Sequence, residues 1–418
     1  MESPPVDFFA PEEIASKMAT AKPPAHLRNF HDLRRAARAR LPRGLFEFID
    51  RGTEDEVALA NNRAAFERIK LVPRVLVDVC ERRQAVTLFG REQPAPVIVA
   101  PTGAAGLAWY QGELALARAA AAEGVPFVLS TASLTPMETI ASQAGGRLWF
   151  QLYIWPDREA SFQLIERARQ VGFEALVVTV DTVVSPNREY NARNGFSIPM
   201  RPTARNVWDF ARHPGWTLGV MGRYLLTTGM PRHENYPDRL RHSLVAGPKR
   251  DAAVARARTL AWDELRVLRD RWPGKLILKG VLHPEDAVTA AAHGVDAVIV
   301  SNHGGRNLDS AVAPIDVLPA VVAAAGDRLA VLVDSGFTRG SDVVKAFALG
   351  AQAVLLGRMP LWGAAVAGEA GARHALGIVR SEIDRTLAYL GCCDIGAVQR
   401  TALLHPGQPL PWQAPQAA

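Results

Sequence analysis

Ala297-Val298-Ile299-Val300 is an unbroken apolar run that releases directly into Ser301-Asn302-His303-Gly304-Gly305-Arg306. Short runs of this kind read as buried strands of a parallel sheet. The strand stops here and delivers a polar, glycine-rich turn carrying a histidine and an arginine. Histidine is the side chain most easily tuned to take a proton near neutral pH. Arginine suits a carboxylate, because its planar fork binds both oxygens. The pair points to an enzyme that deprotonates something carrying a carboxylate. A loop with a solvated histidine and a surface arginine is the competing reading, and the rest of the chain decides between them.

Seven other runs resemble this one. They are 96–100, 127–130, 148–153 and 175–181, and then, after a long gap, 276–279, 330–334 and 353–357. Alanine-rich helical patterns lie between most of them, such as Glu113 to Glu123 and Ser341 to Leu349. Eight β-then-α units predict an α/β fold, a parallel TIM (β/α)8 barrel. A helical extension is expected before it. An open doubly wound sheet is the alternative, but it would show a Gly-rich nucleotide turn after its first strand, and none is present. Each run reaches a polar or backbone-exposing residue: Thr102, Ser130, Gln151 with Tyr153, Thr179 with Asp181, Lys279, Ser301 with His303, Asp334, and Gly357 with Arg358. In a barrel these ends converge on one face, where active sites sit.

Two of the ends carry further information. Asp334-Ser335-Gly336-Phe337-Thr338-Arg339-Gly340 and Gly357-Arg358 follow the last two runs. Small residues let backbone N–H groups approach an anion, and the arginines neutralise it. Loops at this place in the fold are its usual phosphate site. Lys279 ends an apolar run, so its ammonium is expected in the barrel mouth. A Schiff-base nucleophile, a fixed charge beside an electron-rich ring, and a purely structural ion pair all remain open for it.

The 418 residues are 48% apolar and 22% charged, enough for a large core. A net charge of +6 suits anionic partners, but no dense basic run or aromatic-basic ladder argues for nucleic acid. The 3 cysteines, Cys80, Cys392 and Cys393, are too few for a disulfide framework and lack metal-ligand spacing, so a reducing compartment is expected and no metal. The N-terminus lacks a signal-peptide pattern, and no apolar stretch is long enough to span a membrane. Residues 1–25 read as a loose arm, 26–404 as the catalytic domain, and 405–418 as an extended tail.

Read together, these motifs resemble the FMN-dependent 2-hydroxy-acid dehydrogenases and oxidases, from about Leu41 to about Gly391. The resemblance rests on Trp149-Phe150-Gln151-Leu152-Tyr153, Thr179-Val180-Asp181, Lys279-Gly280, Ser301 to Arg306, Asp334-Ser335-Gly336 and Leu356-Gly357-Arg358. Pro101-Thr102-Gly103, Leu129 to Ser133 and Ile383 to Ala388 favour the membrane-associated mandelate dehydrogenase branch. The resemblance implies the following roles. His303 takes the proton as the substrate's C2 is oxidised, and Asp181 stabilises the imidazolium. Arg306 and Arg188 grip the substrate carboxylate, and Tyr153 contacts its polar groups. Lys279 stabilises reduced flavin. Thr102, Gly103, Ser130, Gln151, Thr179 and Ser301 lie along the flavin, and Asp334, Gly336, Arg339, Gly357 and Arg358 hold the ribityl end and phosphate. The family usually has tyrosine where this chain has Phe48, so an apolar substrate group is expected. A homotetramer is implied as well.

Residues 182–258 interrupt the barrel after its fourth strand. Trp208, Phe210, Trp216, Leu218, Val220, Met221, Tyr224 and Leu225 mix there with Arg205, Arg212, Arg223 and Arg232. Such a mix suits a membrane interface, a lid or a subunit contact. The leading expectation is a cytoplasmic dehydrogenase, peripheral on the inner face of the membrane, that passes electrons from an (S)-2-hydroxy acid through FMN to quinone. A soluble oxidase using oxygen, a Schiff-base aldolase and a non-catalytic binding barrel are the rivals.

Overall fold

All eight predicted runs become strands, and they close on themselves. In chain order they are Val97–Val99, Phe127–Ser130, Leu148–Leu152, Ala175–Thr179, Lys275–Val281, Ala297–Val300, Ala330–Val333 and Ala353–Leu356. Each pairs in parallel with its neighbours, and the eighth returns to the first through Leu355 beside Ile98. These features belong to a computed structural model that describes residues 26–201, 203–237, 241, 243–245, 260–400 and 403–404. The expected arm at 1–25 and tail at 405–418 lie outside the described residues, as do residues 202, 238–240, 242 and 246–258 of the insertion.

Alternation along each strand divides the core in two. Ile98, Val128, Trp149, Val177, Ile277, Ile299, Leu332 and Leu355 fill the barrel interior. Val97, Leu129, Phe150, Leu176, Leu278, Val298 and Val333 pack outward under the helices. Because both faces are covered, the strands read as continuous apolar runs, which is why they were visible in the sequence.

The fifth strand differs from expectation. It runs two residues past Lys279, to Val281, through an irregularity at Gly280. Gly280 has φ +107°, and a Cβ there would lie 2.6 Å from the Cβ of Asp181. Glycine thus lets the strand bend and continue while Asp181 sits against it.

The expected helical extension comprises Phe30–Arg40, Arg43–Asp50 and Val57–Arg68. It closes over the mouth. Asn62 and Asn302 exchange amide hydrogen bonds of 2.9 and 2.7 Å. The Asp309 carboxylate accepts from the backbone of Asp55 and Ala58, each at 3.1 Å. Gly305, at φ +71°, passes so near Leu59 that a Cβ would come within 2.6 Å of its nitrogen.

The opposite end is closed by a hairpin the sequence did not announce, Val86–Leu88 with Arg91–Gln93. Buried Arg147 ties it down by donating to Gln93, the Leu88 carbonyl and Glu174.

The insertion is sewn to the loops at the barrel mouth. Trp216 Nε1 donates to the Leu107 carbonyl at 2.6 Å, and Tyr224 Oη accepts from Gln111 N at 3.2 Å. Asn235 bridges Met137 N and the Thr135 carbonyl, and His233 Nδ1 lies 3.0 Å from the Ala132 carbonyl. Its apolar residues therefore split. Trp216, Val220 and Tyr224 are buried, whereas Val207, Trp208, Leu218, Leu225 and Leu226 face outward, with Leu226 82% exposed.

Candidate active site

The sixth strand hands over to three consecutive left-handed residues, His303 (φ 59°), Gly304 (φ 70°) and Gly305 (φ 71°). A left-handed histidine carries backbone strain, and such strain collects at functional sites. Here it turns the imidazole toward the end of the fourth strand. His303 Nδ1 lies 3.0 and 3.1 Å from the two Asp181 carboxylate oxygens. That contact fixes Nδ1 as the protonated nitrogen and makes Nε2 the one that takes up a proton. Asn307 Nδ2 donates to the Asp181 carbonyl at 2.8 Å and steadies the carboxylate's backbone.

Lys279 lies beside them and is almost fully buried. Its ammonium donates to Ser301 Oγ at 2.9 Å and pairs with Asp334 at 3.0 Å. Burial opposes the charge, but Asp334 and Asp181 outweigh it and raise the lysine pKa. An amine held protonated in this way is a poor nucleophile, which argues against Schiff-base chemistry. Ser301 Oγ also accepts from His303 N at 3.0 Å, and Gly304 N donates to Ser335 Oγ, which in turn bonds Asp334.

A second cluster is cationic. Arg306 Nη1 donates to the Ile49 and Arg51 carbonyls at 3.2 and 2.8 Å. Arg358 Nε donates to the same Ile49 carbonyl at 3.0 Å, and its other nitrogens reach the Gly304 carbonyl. The two guanidiniums thus share one acceptor, at the negative C-terminal end of the helix Arg43–Asp50. Burial and the neighbouring Arg358 push Arg306 down to about 10, still charged at neutral pH. Burial lowers Arg358 as well, with Arg188 contributing. The Phe48 ring stands between Arg188 and Arg306, each guanidinium 5.4 Å from its centroid. Tyr153 is buried and close enough to act electrostatically on both Lys279 and Arg306.

Along the second to fourth strands runs a buried polar line. Gln151 Oε1 accepts from Ser130 Oγ at 3.1 Å, and Gln151 Nε2 donates to Thr179 Oγ1 at 3.0 Å. Thr102 is partly exposed beside it. Gly103 is exposed, and a Cβ there would lie 3.2 Å from Ala132 Cβ. At the eighth strand, the helix Arg358–Leu390 begins after Gly357 with no side-chain cap and no acidic residue in its first turn. Gly357 and Gly336 flank this end of the mouth.

These features fit FMN. A buried ammonium and an alternating line of donors and acceptors match a flat polar ring, and an uncapped helix N-terminus matches a phosphate.

The structure does not bring every expected residue to that end. Arg339 is turned away: it pairs with Glu382 at 2.8 Å, and 43% of its side chain is exposed. Glu382 also accepts from Gly340 N, so the acid is drawn to the start of the helix Gly340–Ala348 and takes the arginine with it. Arg358 is committed to backbone carbonyls. The structure adds residues that sequence reasoning missed. Asn62, Asn302 and Ser335 hold the His303 loop. Tyr190, two residues beyond Arg188, lies against the arginines. Ser335 was flanked by chosen residues, but Tyr190 sits in an aperiodic stretch that gave no signal. A cavity of about 270 Å³ adjoins Tyr153 and Thr179, but its lining includes neither His303 nor any of the arginines.

With this geometry in view, the comparisons define the class. The FMN-dependent dehydrogenase family profile matches residues 37–405, and the chain belongs to that family. Its cofactor is accordingly FMN. The (S)-mandelate dehydrogenase of Pseudomonas putida is 43% identical over 384 residues, 91% of this chain and 95% of that protein. An L-lactate dehydrogenase of Caulobacter vibrioides is 40% identical, covering 89% of this chain and 96% of its own. An L-lactate oxidase of Nostoc is 38% identical over 90% of this chain and 98% of its own. Among solved structures, the monotopic membrane protein (S)-mandelate dehydrogenase superposes with a TM-score of 0.82 at 42% identity, covering 89% of this chain and 98% of that one.

Gly280→Ala should disturb the His303–Asp181 pair, because the new methyl group collides with Asp181 and the backbone is strained. Substrate-driven flavin reduction should slow by about tenfold or more while FMN absorbance is kept. A variant that reduces at the wild-type rate would show that this close approach is irrelevant to catalysis.

Proposed function

We propose that this protein oxidises an (S)-2-hydroxy acid bearing an apolar side group to the corresponding 2-oxo acid. The observation that carries the reading is the His303–Asp181 pair opening onto the same mouth as the Lys279 ammonium and the Arg306 guanidinium. When bound, FMN supplies the acceptor for the two electrons that leave C2. The protein's residues do the rest. Arg306 and Arg188 draw in the substrate carboxylate and orient C2. His303 Nε2 accepts the proton released on oxidation. Asp181 stabilises the resulting imidazolium through Nδ1. Tyr153 bonds the substrate's oxygen, and the helical extension keeps bulk water from the site. Lys279 holds a permanent positive charge where negative charge develops. Ser130, Gln151, Thr179, Ser301, Thr102 and Gly103 would hold the flavin ring. Asp334, Gly336 and Gly357 would hold the ribityl and phosphate end, with Arg358 supplying charge. Arg339 acts there only through the position of its helix.

The substrate side group is read from Phe48. Its ring offers apolar surface between two guanidiniums and no hydroxyl. A small acid loses roughly one net hydrogen bond there, about 0.5–1.5 kcal/mol, which burial of an aromatic or branched group can offset.

The outward face Val207, Trp208, Leu218, Leu225 and Leu226 is proposed as the membrane contact, with quinone as acceptor. No helix among the described residues is long and apolar enough to cross a membrane. These side chains would enter the interface from one side only. Some of the insertion's arginines are already engaged: Arg223 stacks on Tyr110 at 4.2 Å and Arg232 pairs with Glu234. Apolar burial therefore carries more of the proposed attachment than charge.

His303→Ala should retain FMN yet slow anaerobic flavin reduction by at least about 10²-fold, the low end for a positioned base. Near-normal reduction would refute the assignment of the base.

Mandelate should be turned over with a higher kcat/KM than glycolate, and Phe48→Tyr should narrow the gap in favour of the smaller acids. Glycolate outperforming mandelate in the wild type would reverse the specificity reading.

Changing Trp208, Leu218, Leu225 and Leu226 together to serine should release the protein from anionic liposomes while flavin reduction by substrate is unchanged. A wild-type protein that ignores liposomes and reoxidises rapidly in air would instead be a soluble oxidase.

A further inference from the structure

Tyr190 lies on the short helix Glu189–Asn194, immediately after Arg188. Its side chain is 3% exposed, and its hydroxyl is fully buried with no acceptor for its proton among the described residues. A buried hydroxyl without an acceptor is uncommon and calls for an explanation. The surroundings narrow the choice. The Arg51 guanidinium lies 5.0 Å over the tyrosine ring. The Arg306 guanidinium engages the phenolic oxygen loosely, and the hydroxyl is near enough to act on Arg358 as well. Arginine carries only donors, so these neighbours can engage the phenolic oxygen but not its proton. In a ring of guanidiniums, the partner that completes the hydroxyl is an anion.

We infer that Tyr190 is a specificity-determining contact of this site, its phenolic O–H donating to the carboxylate that Arg306 receives. This inference rests on the proposed 2-hydroxy-acid substrate and adds to it an uncharged donor for the carboxylate beside Arg306 and Arg188. Tyr153 and Tyr190 both act on Arg306. A carboxylate seated at that guanidinium would meet phenolic donors as well as charge. Hydrogen bonds of this kind are often poorly aligned until the ligand arrives and tighten in the complex. The insertion thereby contributes to recognition through Tyr190 as well as Arg188.

Tyr190→Phe removes the hydroxyl and nothing else. In the FMN-loaded enzyme, KM for the preferred 2-hydroxy acid should rise by about tenfold, the worth of a hydrogen bond to a charged group, with kcat changed less than twofold. The Kd of the unreactive 2-oxo acid product, measured by calorimetry, should rise equally. Binding of the matching 2-hydroxy carboxamide should weaken clearly less, because its neutral carbonyl oxygen is a weaker acceptor than a carboxylate. Unchanged Kd for the 2-oxo acid, or an equal loss for the carboxamide, would each overturn the inference. Failure of the underlying reading looks different: the wild-type flavin would then not be reduced by any 2-hydroxy acid.

Discussion

The buried ammonium of Lys279 organises the mouth of this barrel. It joins three strands, bonding Ser301 at the end of the sixth and Asp334 at the end of the seventh from its own place in the fifth. Both partners then act on the His303 loop. Ser301 holds His303 N, and Asp334 holds Ser335, which receives Gly304 N. One charge therefore sets the position of a loop whose left-handed backbone would otherwise relax. A lone buried ammonium would be costly, and the Asp334 and Asp181 carboxylates make it tolerable. The same arrangement keeps it protonated, which suits a fixed electrostatic role and not a nucleophilic one.

The cationic end of the site follows a different logic. Arg306 and Arg358 converge on the C-terminal carbonyls of the helix Arg43–Asp50, where the helix dipole is negative. The extension does more than cover the mouth: its terminus gathers two like charges and delivers Phe48 between Arg188 and Arg306. Mutual repulsion and burial leave those guanidiniums receptive to an anion. The fold thus separates proton transfer, at the strand ends, from anion capture, at the seam between barrel and extension.

The barrel was legible because every strand is covered on both faces, which leaves continuous apolar runs ending in polar residues. His303, Asp181 and Lys279 were legible for the same reason, each standing where such a run gives way. Arg339 misled because sequence position says that an arginine is near a turn but not which way it points; Glu382, on a distant helix, decides that. The Val86–Leu88 and Arg91–Gln93 hairpin was too short to show a period. Tyr190 depends on contacts with Arg51, Arg306 and Arg358, which are far apart in the chain. The insertion's residues showed a mixture of apolar and basic types, but only packing separates Trp216 and Tyr224, which face the barrel, from Trp208 and Leu218, which do not.

The acceptors that position Arg306 and Arg358 are main-chain carbonyls, at Ile49, Arg51 and Gly304. A carbonyl is present whatever side chain its residue carries. Positions 49 and 51 can therefore drift through many amino acids over evolutionary time without unseating the arginines, so long as the helix ends at the same place. The vulnerable changes are of another kind: a proline or a deletion that moves the helix terminus by a fraction of a turn would shift both cations together. Sequence variability at these positions would be a poor guide to their importance, and backbone placement the better one.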